Sequence, residues 1–310
     1  MNLVRPFSLR GTKMRKSKRS NTKFLWFCIA PAFILFTVFM IIPTINVFSM
    51  SLFKWGGLNP EKTFYGLKNF KILFKDVNFI RAMQNTIFLI VFVTIITIFF
   101  ALLFSFILSR TKVKGKSFFR IVFYLPNILS IVVIGAIFQS IYQPEIGVVD
   151  TILDFFNLST WSKAWLADSK VILISIGLAL IWQAIGYYMV MYMASMSSVP
   201  DSLYEAADLE GCSNLRKFFD ITLPLVWDVI RTTLAFFIIS TINLSFLIVN
   251  VMTQSGPDHA SEVILGYLYN QAYGNSAFGY GMAIGTVVFI FSFVLSALVN
   301  KVTQRDSIQF

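Results

Sequence analysis

Six stretches of this chain are each long and apolar enough to cross a lipid bilayer: approximately Phe24 to Ser49, Thr86 to Ser109, Ile121 to Tyr142, Val171 to Met193, Thr232 to Met252 and Ala277 to Val299. A helix needs about 20 mainly apolar residues to span a hydrocarbon core of about 30 Å. The runs are continuous, whereas the strands of a membrane barrel alternate apolar and polar residues over about 10 positions. Helices also satisfy their own backbone groups where no water is available. Composition agrees: hydrophobic residues make up 56% of the chain and charged ones 13%, and the 34 Phe outnumber the 26 Lys and Arg. The expected fold class is an all-α polytopic membrane protein with six transmembrane helices. The basic segment before the first run resembles the start of a signal peptide, but the run is too long and no A-x-A cleavage site follows, so it is read as a retained span.

Six spans place both termini on one side of the membrane. That side carries the basic residues of Met1 to Lys23, of Arg110 to Arg120, and Arg216, Lys217, Lys301 and Arg305. The other side carries the fewer basic residues between Lys54 and Arg81, with Lys163 and Lys170. Lys and Arg accumulate on cytoplasmic loops, so both termini are expected in the cytoplasm. The net charge of +11 is then a topology signal with attraction to lipid headgroups, rather than a nucleic-acid surface. Cys28 and Cys212 imply neither a disulfide nor a metal site.

None of the six runs contains Asp, Glu, Lys, Arg or His. Ionisable groups within the membrane mark proton relays and ion paths, so a proton-coupled carrier is disfavoured, while sodium coupling through backbone carbonyls stays open. Gly115-Lys116-Ser117 ends like a phosphate-binding P-loop, but Arg110 stands where that motif needs its first Gly, and a spanning helix precedes it. A basic cytoplasmic turn is the better reading, and any ATP hydrolysis belongs to another chain.

Between the fourth and fifth runs, residues 201 to 224 crowd together charge, small residues and helix breakers. Pro200 stops what precedes it, and Ser202 with Glu205 three residues on reads as a capping box opening a short helix. Ala206, Ala207 and Leu209 give that helix a smooth face, and Gly211 lets the chain leave the helical path. A second short helix is expected from about Asn214 to Ile221, closed by Leu223 and Pro224. Two short amphipathic helices around a sharp turn suit a groove on a soluble partner. They are equally compatible with a plain re-entry loop.

Glu205-Ala206-Ala207, three residues, Gly211, nine residues, Ile221, one residue and Leu223-Pro224 resemble the EAA loop of permease subunits in binding-protein-dependent ABC importers. Tyr65-Gly66-Leu67-Lys68-Asn69-Phe70, Gln84-Asn85-Thr86, Tyr124-Leu125-Pro126, Pro144-Glu145-Ile146-Gly147 and Trp165-Leu166 resemble the maltose and glycerol-phosphate branch. So do Thr253-Gln254-Ser255-Gly256-Pro257, Tyr267 to Tyr269 and Phe278-Gly279-Tyr280, although that branch often has Gly-Gly where Gln254-Ser255 stands. The resemblance implies a type I ABC importer transmembrane domain in a bacterial plasma membrane. Its organisation would be a cytoplasmic tail at 1–23, a permease domain at 24–300 with a coupling loop at 194–226, and a cytoplasmic tail at 301–310. It implies that Glu205, Ala206, Ala207, Gly211, Ile221, Leu223 and Pro224 couple to an ATPase, with Glu205 pairing to a basic residue there. Implied partners are a second permease completing a heterodimer, two ATPase subunits that bind the ATP and Mg, and an extracytoplasmic solute-binding protein. No cofactor and no enzymatic activity are expected in this chain itself.

Phe236, Ser240, Asn243 and Asn250 fall roughly on one face of the fifth run, and Gln183 and Tyr187 pair at i and i+4 in the fourth. Neutral amides, hydroxyls and rings suit a sugar, and they also suit contacts between spanning helices. A span set without Arg or Lys favours a neutral di- or oligosaccharide over glycerol 3-phosphate. Gly281 and Gly285 form a small-xxx-small pair expected to pack helices. The alternative function is a self-sufficient carrier or channel for a neutral polar solute.

Overall fold

The computed structural model describes residues 22–57, 61–111 and 113–305. Most of the basic N-terminal tail and the end of the C-terminal tail lie outside those residues. The chain divides into an N-terminal unit ending at Asn46 and a main unit from Val47 onward. The first apolar run is a continuous helical rod, α1 (Thr22–Phe36), a π-helical turn at Thr37–Ile41, and α2 (Ile42–Met50).

In the main unit, β1 (Phe53–Lys54) pairs antiparallel with β2 (Thr63–Phe64), and the short α3 (Lys68–Leu73) follows. The long α4 (Val77–Arg110) has 34 residues, about 51 Å at 1.5 Å per residue, so it projects well beyond a hydrocarbon core. Next come α5 (Lys116–Ile128), α6 (Ile131–Ile141), α7 (Val148–Phe155) and α8 (Ile172–Met196). The polar stretch forms α9 (Asp201–Leu209), α10 (Asn214–Lys217) and α11 (Leu223–Leu225). Last are α12 (Trp227–Met252), α13 (Ile264–Tyr269) and α14 (Phe278–Val302). Among the described residues five helices are long and apolar enough to cross a membrane, and a bent pair brings the number to six.

That bent pair corrects the sequence reading of a single helix from Ile121 to Tyr142. α5 and α6 meet at 102°. Pro126 has no N–H to give to the helical ladder, Leu129 is extended at ψ 144°, and Ser130 caps α6 by accepting from Val132 N–H at 3.4 Å.

The core of the main unit lies where α4, α8 and α12 meet, around Leu89, Val93, Ile176, Leu180, Met189, Tyr192, Phe237 and Ile248. Helices in lipid gain little from apolar burial, so close backbone approach and polar contacts decide their packing. Gly186 is the clearest instance: a Cβ there would lie 1.8 Å from the Phe123 carbonyl oxygen, so glycine alone lets α5 cross α8. Tyr192 Oη and Thr233 Oγ1, both buried, meet at 2.8 Å between α8 and α12. A second cluster, with Leu73, Ile90, Ile238, Ile242, Ile264 and Ile284, joins α3, α4, α12, α13 and α14.

The far end of the bundle from the polar stretch is held by the motif residues singled out above. Asn69 Nδ2 donates to Ser51 O at 2.8 Å and Phe53 O at 3.0 Å. Asn85 Nδ2 donates to Ala260 O at 3.0 Å and Glu262 O at 2.9 Å, and Thr86 Oγ1 accepts from Ile264 N–H at 2.9 Å. Asp76 caps α4 through the N–H groups of Asn78 and Phe79, and its other oxygen accepts the hydroxyls of Tyr267 and Tyr280. Residues far apart in sequence thus fasten the ends of α4, α13 and α14 together. His259 sits in the same region with Nδ1 2.6 Å from the buried Glu262 carboxylate.

Candidate functional site

The polar stretch is a compact knob at the end of the bundle where α4 and α8 finish. α9 begins two residues earlier than an N-cap at Ser202 would place it. Pro200 is the residue before it and makes no side-chain cap, and Ser202 lies inside the helix. The capping box is therefore corrected. The start is fixed by an ion pair from outside the loop, Arg110 Nη1 to Asp201 Oδ1 at 2.7 Å.

Arg110, the last residue of α4, holds more than this one carboxylate. Its Nη2 donates to the carbonyls of Met196 and Val199, the latter at 3.1 Å, where α8 has run out of helical partners. Its guanidinium lies 4.1 Å from the ring centre of Tyr204. Tyr204 Oη in turn meets Thr222 Oγ1 at 2.8 Å, both residues buried. Lys217, also buried, pairs with Asp208 across the knob. Sequence reading counted Arg110 as a topology charge and as the residue that breaks the P-loop pattern. The available signal was an arginine closing a long apolar run, the first of five basic residues from Arg110 to Arg120.

Gly211 makes the turn with φ +72°, a region that other residues enter at a cost. Cys212 N–H reaches back to Ala207 O at 2.9 Å and Gly211 N–H to Asp208 O at 3.1 Å, closing α9. Ser213 then caps α10 through Arg216 N–H at 3.3 Å. The second helix does not close at Leu223-Pro224 as expected. It passes through a π-helical turn at Phe218–Thr222 into α11 and breaks only at Val226. Pro224 stands at the junction where the π-helical turn passes into α11, two residues before the break at Val226.

The expected coupling residues divide into two layers. Glu205, Ala206 and Leu209 point outward, with Leu209 91% exposed, and Glu205 has no hydrogen-bond partner among the described residues. Ala207 turns inward beside Tyr204, which corrects the reading of a single face carrying both alanines. Ile221 and Leu223 pack against the core at the base of the knob, and Pro224 is half-buried beside them.

In the spans, Phe236, Asn243 and Asn250 are exposed along one stripe of α12, with Asn243 and Asn250 making no hydrogen bond among the described residues. Ser240 is half-buried to one side and donates back to Phe237 O at 3.0 Å. On α8, Tyr187 is exposed and Gln183 half-buried. Gly281 lies against Ala272 of this same chain, where a Cβ would come within 2.9 Å of the alanine Cβ, and Gly285 lies beside Leu268.

A knob of this build on a bundle of spanning helices agrees with the comparison of the chain against known families. The model described as binding-protein-dependent transport system inner membrane component matches residues 101–305. The chain belongs to this family. The permease is 35% identical over 277 residues to the probable ABC transporter permease protein YurN of Bacillus subtilis, covering 88% of this chain and 93% of the relative. It is 28% identical over 307 residues to the diacetylchitobiose uptake system permease protein NgcF of Streptomyces coelicolor, covering 95% and 87%. Its fold matches a chain of the bacterial alginate ABC transporter, solved in complex with an alginate pentasaccharide-bound periplasmic protein, at a TM-score of 0.79. That match has 22% identity and covers 91% and 94% of the two chains. The permease is thus a multi-pass membrane protein with the fold of ABC importer permeases.

Proposed function

We propose that this permease carries a neutral di- or oligosaccharide from an extracytoplasmic binding protein into the cytoplasm, driven by a separate ATPase that seats the α9 knob. The observation that carries the reading is the outward face of α9. Glu205 has no partner among the described residues, Leu209 is almost wholly exposed, and the helix beneath them is fixed to α4 and α8 by Arg110. An exposed leucine beside Glu205 and Glu210, two exposed carboxylates with no partner among the described residues, suits a groove with a basic residue in it. Motion of that groove would reach the ends of α4 and α8 directly. Glu205, Ala206, Gly211 and Leu209 serve the contact in this reading, and Ala207, Ile221, Leu223 and Pro224 serve its base. Both termini are cytoplasmic, a second permease completes the pathway, and ATP and Mg are bound by the ATPase.

For the solute, the exposed amides of Asn243 and Asn250 support a polar surface along α12. A lipid-facing amide would be costly, and a sugar hydroxyl satisfies it. The uptake of diacetylchitobiose named for NgcF supports the oligosaccharide class.

The test is Glu205→Lys in the assembled transporter. The expected outcome is normal membrane insertion with loss of ATPase association, or of ATP-driven uptake, by tenfold or more. Unchanged association together with unchanged uptake contradicts the role given to Glu205.

A further inference from the structure

Between α6 and α8 the chain carries a helix whose polarity runs inside out. α7 turns Asp150, 3% exposed, toward the protein, where its carboxylate accepts from the Trp165 indole Nε1 at 2.8 Å and the Glu145 N–H at 3.1 Å. These donors hold the Asp150 carboxyl below its usual range, the indole contributing most. The outward face is apolar: Val148, Ile152 and Phe155, at i, i+4 and i+7, are 54%, 51% and 81% exposed. Phe156, its ring 5.3 Å from that of Phe155, extends this face at 64% exposed, and Trp161 in the following turn is 65% exposed. A contiguous apolar surface of this kind marks something that covers it.

What covers it follows from where α7 is fastened. The turn from α6 is so tight that a Cβ on Gly147 would lie 2.6 Å from the Ile141 carbonyl oxygen and 2.4 Å from that of Gln143. On the other side, the Trp165 ring lies 6.3 Å from that of Tyr142, and Tyr142 donates to Ser175 O in the first turn of α8 at 3.1 Å. α7 is therefore bound to the rim formed by the last turn of α6 and the first turn of α8, at the end of the bundle away from the knob. That rim is where apolar spans end and water begins. A short helix held there turns its apolar, aromatic face outward at the level where the spans end, as helices lying in a membrane interface do. Lys163 and Lys170, which follow, are exposed, as side chains that pair with phosphate headgroups must be.

We propose that α7 and the turn to Trp161 form an interfacial anchor whose partner is the lipid surface. Val148, Ile152 and Phe155 enter the boundary between headgroups and acyl chains on the side of the membrane opposite the coupling knob. Seated in this way, the anchor fixes the outer end of the broken α5–α6 span.

The test places a nitroxide at Phe155→Cys in the full chain with Cys28→Ser and Cys212→Ser, reconstituted in nanodiscs of phosphatidylglycerol and phosphatidylethanolamine. Ile152→Cys gives a second position should the first disturb folding, and Asp154→Cys serves as the reference. Collision rates with oxygen and with a water-soluble nickel chelate are compared. The expected result is a several-fold excess of oxygen over nickel collisions at residues 155 and 152, and the reverse at 154. Nickel access at 155 and 152 equal to that at 154 overturns the proposal, since the face then meets water. Exclusion of both reagents also overturns it, since the face is then covered by protein.

Discussion

At Arg110 a single guanidinium serves Asp201, the Met196 and Val199 carbonyls and the ring of Tyr204, so removing it strands several groups together. Hydrogen bonds to charged groups contribute about 1.5–3 kcal/mol each, and the exposed Asp201 end of the pair contributes less. Arg110→Ala is expected to lower the stability of the detergent-solubilised permease by about 3 kcal/mol, read as a fall in its thermal midpoint. Arg110→Lys is expected to recover little of this, because an ammonium lacks the planar fork that reaches three oxygens. Asp76 gives a second prediction. Burial raises its carboxyl pKa, but the hydroxyls of Tyr267 and Tyr280 and the N–H groups of Phe79 and Asn78 outweigh burial and leave it below the usual value. A depressed carboxylate contributes stability above its unfolded pKa of about 4 and loses it as pH falls through the folded one. Asp76→Asn is therefore expected to be less stable than the parent at pH 7, with the difference shrinking below about pH 4 in a series of thermal midpoints. Gly211 was legible from sequence because turn chemistry is local, whereas the cap read from Ser202 and Glu205 does not form. Arg110 and Asp76 were not legible, because their partners lie 86 to 204 residues away.

The long spans could be read as elements from apolar run length, whereas the break between α5 and α6 required weighing Pro126 and Ser130 against an otherwise uninterrupted run. Lipid tolerates a proline in a span when neighbours take up the freed groups, so the run alone gave no boundary. The crossing that positions α5 depends on Gly186. Gly186→Ala would set a methyl group against backbone at Phe123, which cannot yield as a side chain can. It is expected to cost about 3 kcal/mol or to part α5 from α8, seen as a lowered thermal midpoint and faster proteolysis near Lys114. On α12 helical period sets Phe236, Asn243 and Asn250 on one exposed stripe, and Ser240 lies half-buried at its edge with its hydroxyl bonded to its own helix. Asn243→Leu is expected to raise the KM for sugar uptake severalfold while ATPase association stays normal. An unchanged KM would assign the amide to helix packing.

As a whole, the permease joins two fastened ends. One gathers Asn69, Asp76, Asn85 and Thr86 with α13 and α14. The other gathers Arg110, Tyr204, Thr222 and Lys217 into the knob. Between them run spans whose runs, as read from sequence, contain no ionisable residue. A bundle without such groups offers no proton relay, and in the proposed reading the knob is where force enters from outside. Family membership and class were legible because they rest on run lengths and a local motif. The fastening was not, because it arises only when distant segments meet. The central claim, that transport requires a separate ATPase acting on this chain, is tested most directly by uptake of labelled oligosaccharide into proteoliposomes. Accumulation is predicted only when the second permease, the ATPase, ATP and the loaded binding protein are all present. Accumulation by this chain alone, without ATPase or ATP, would contradict the account.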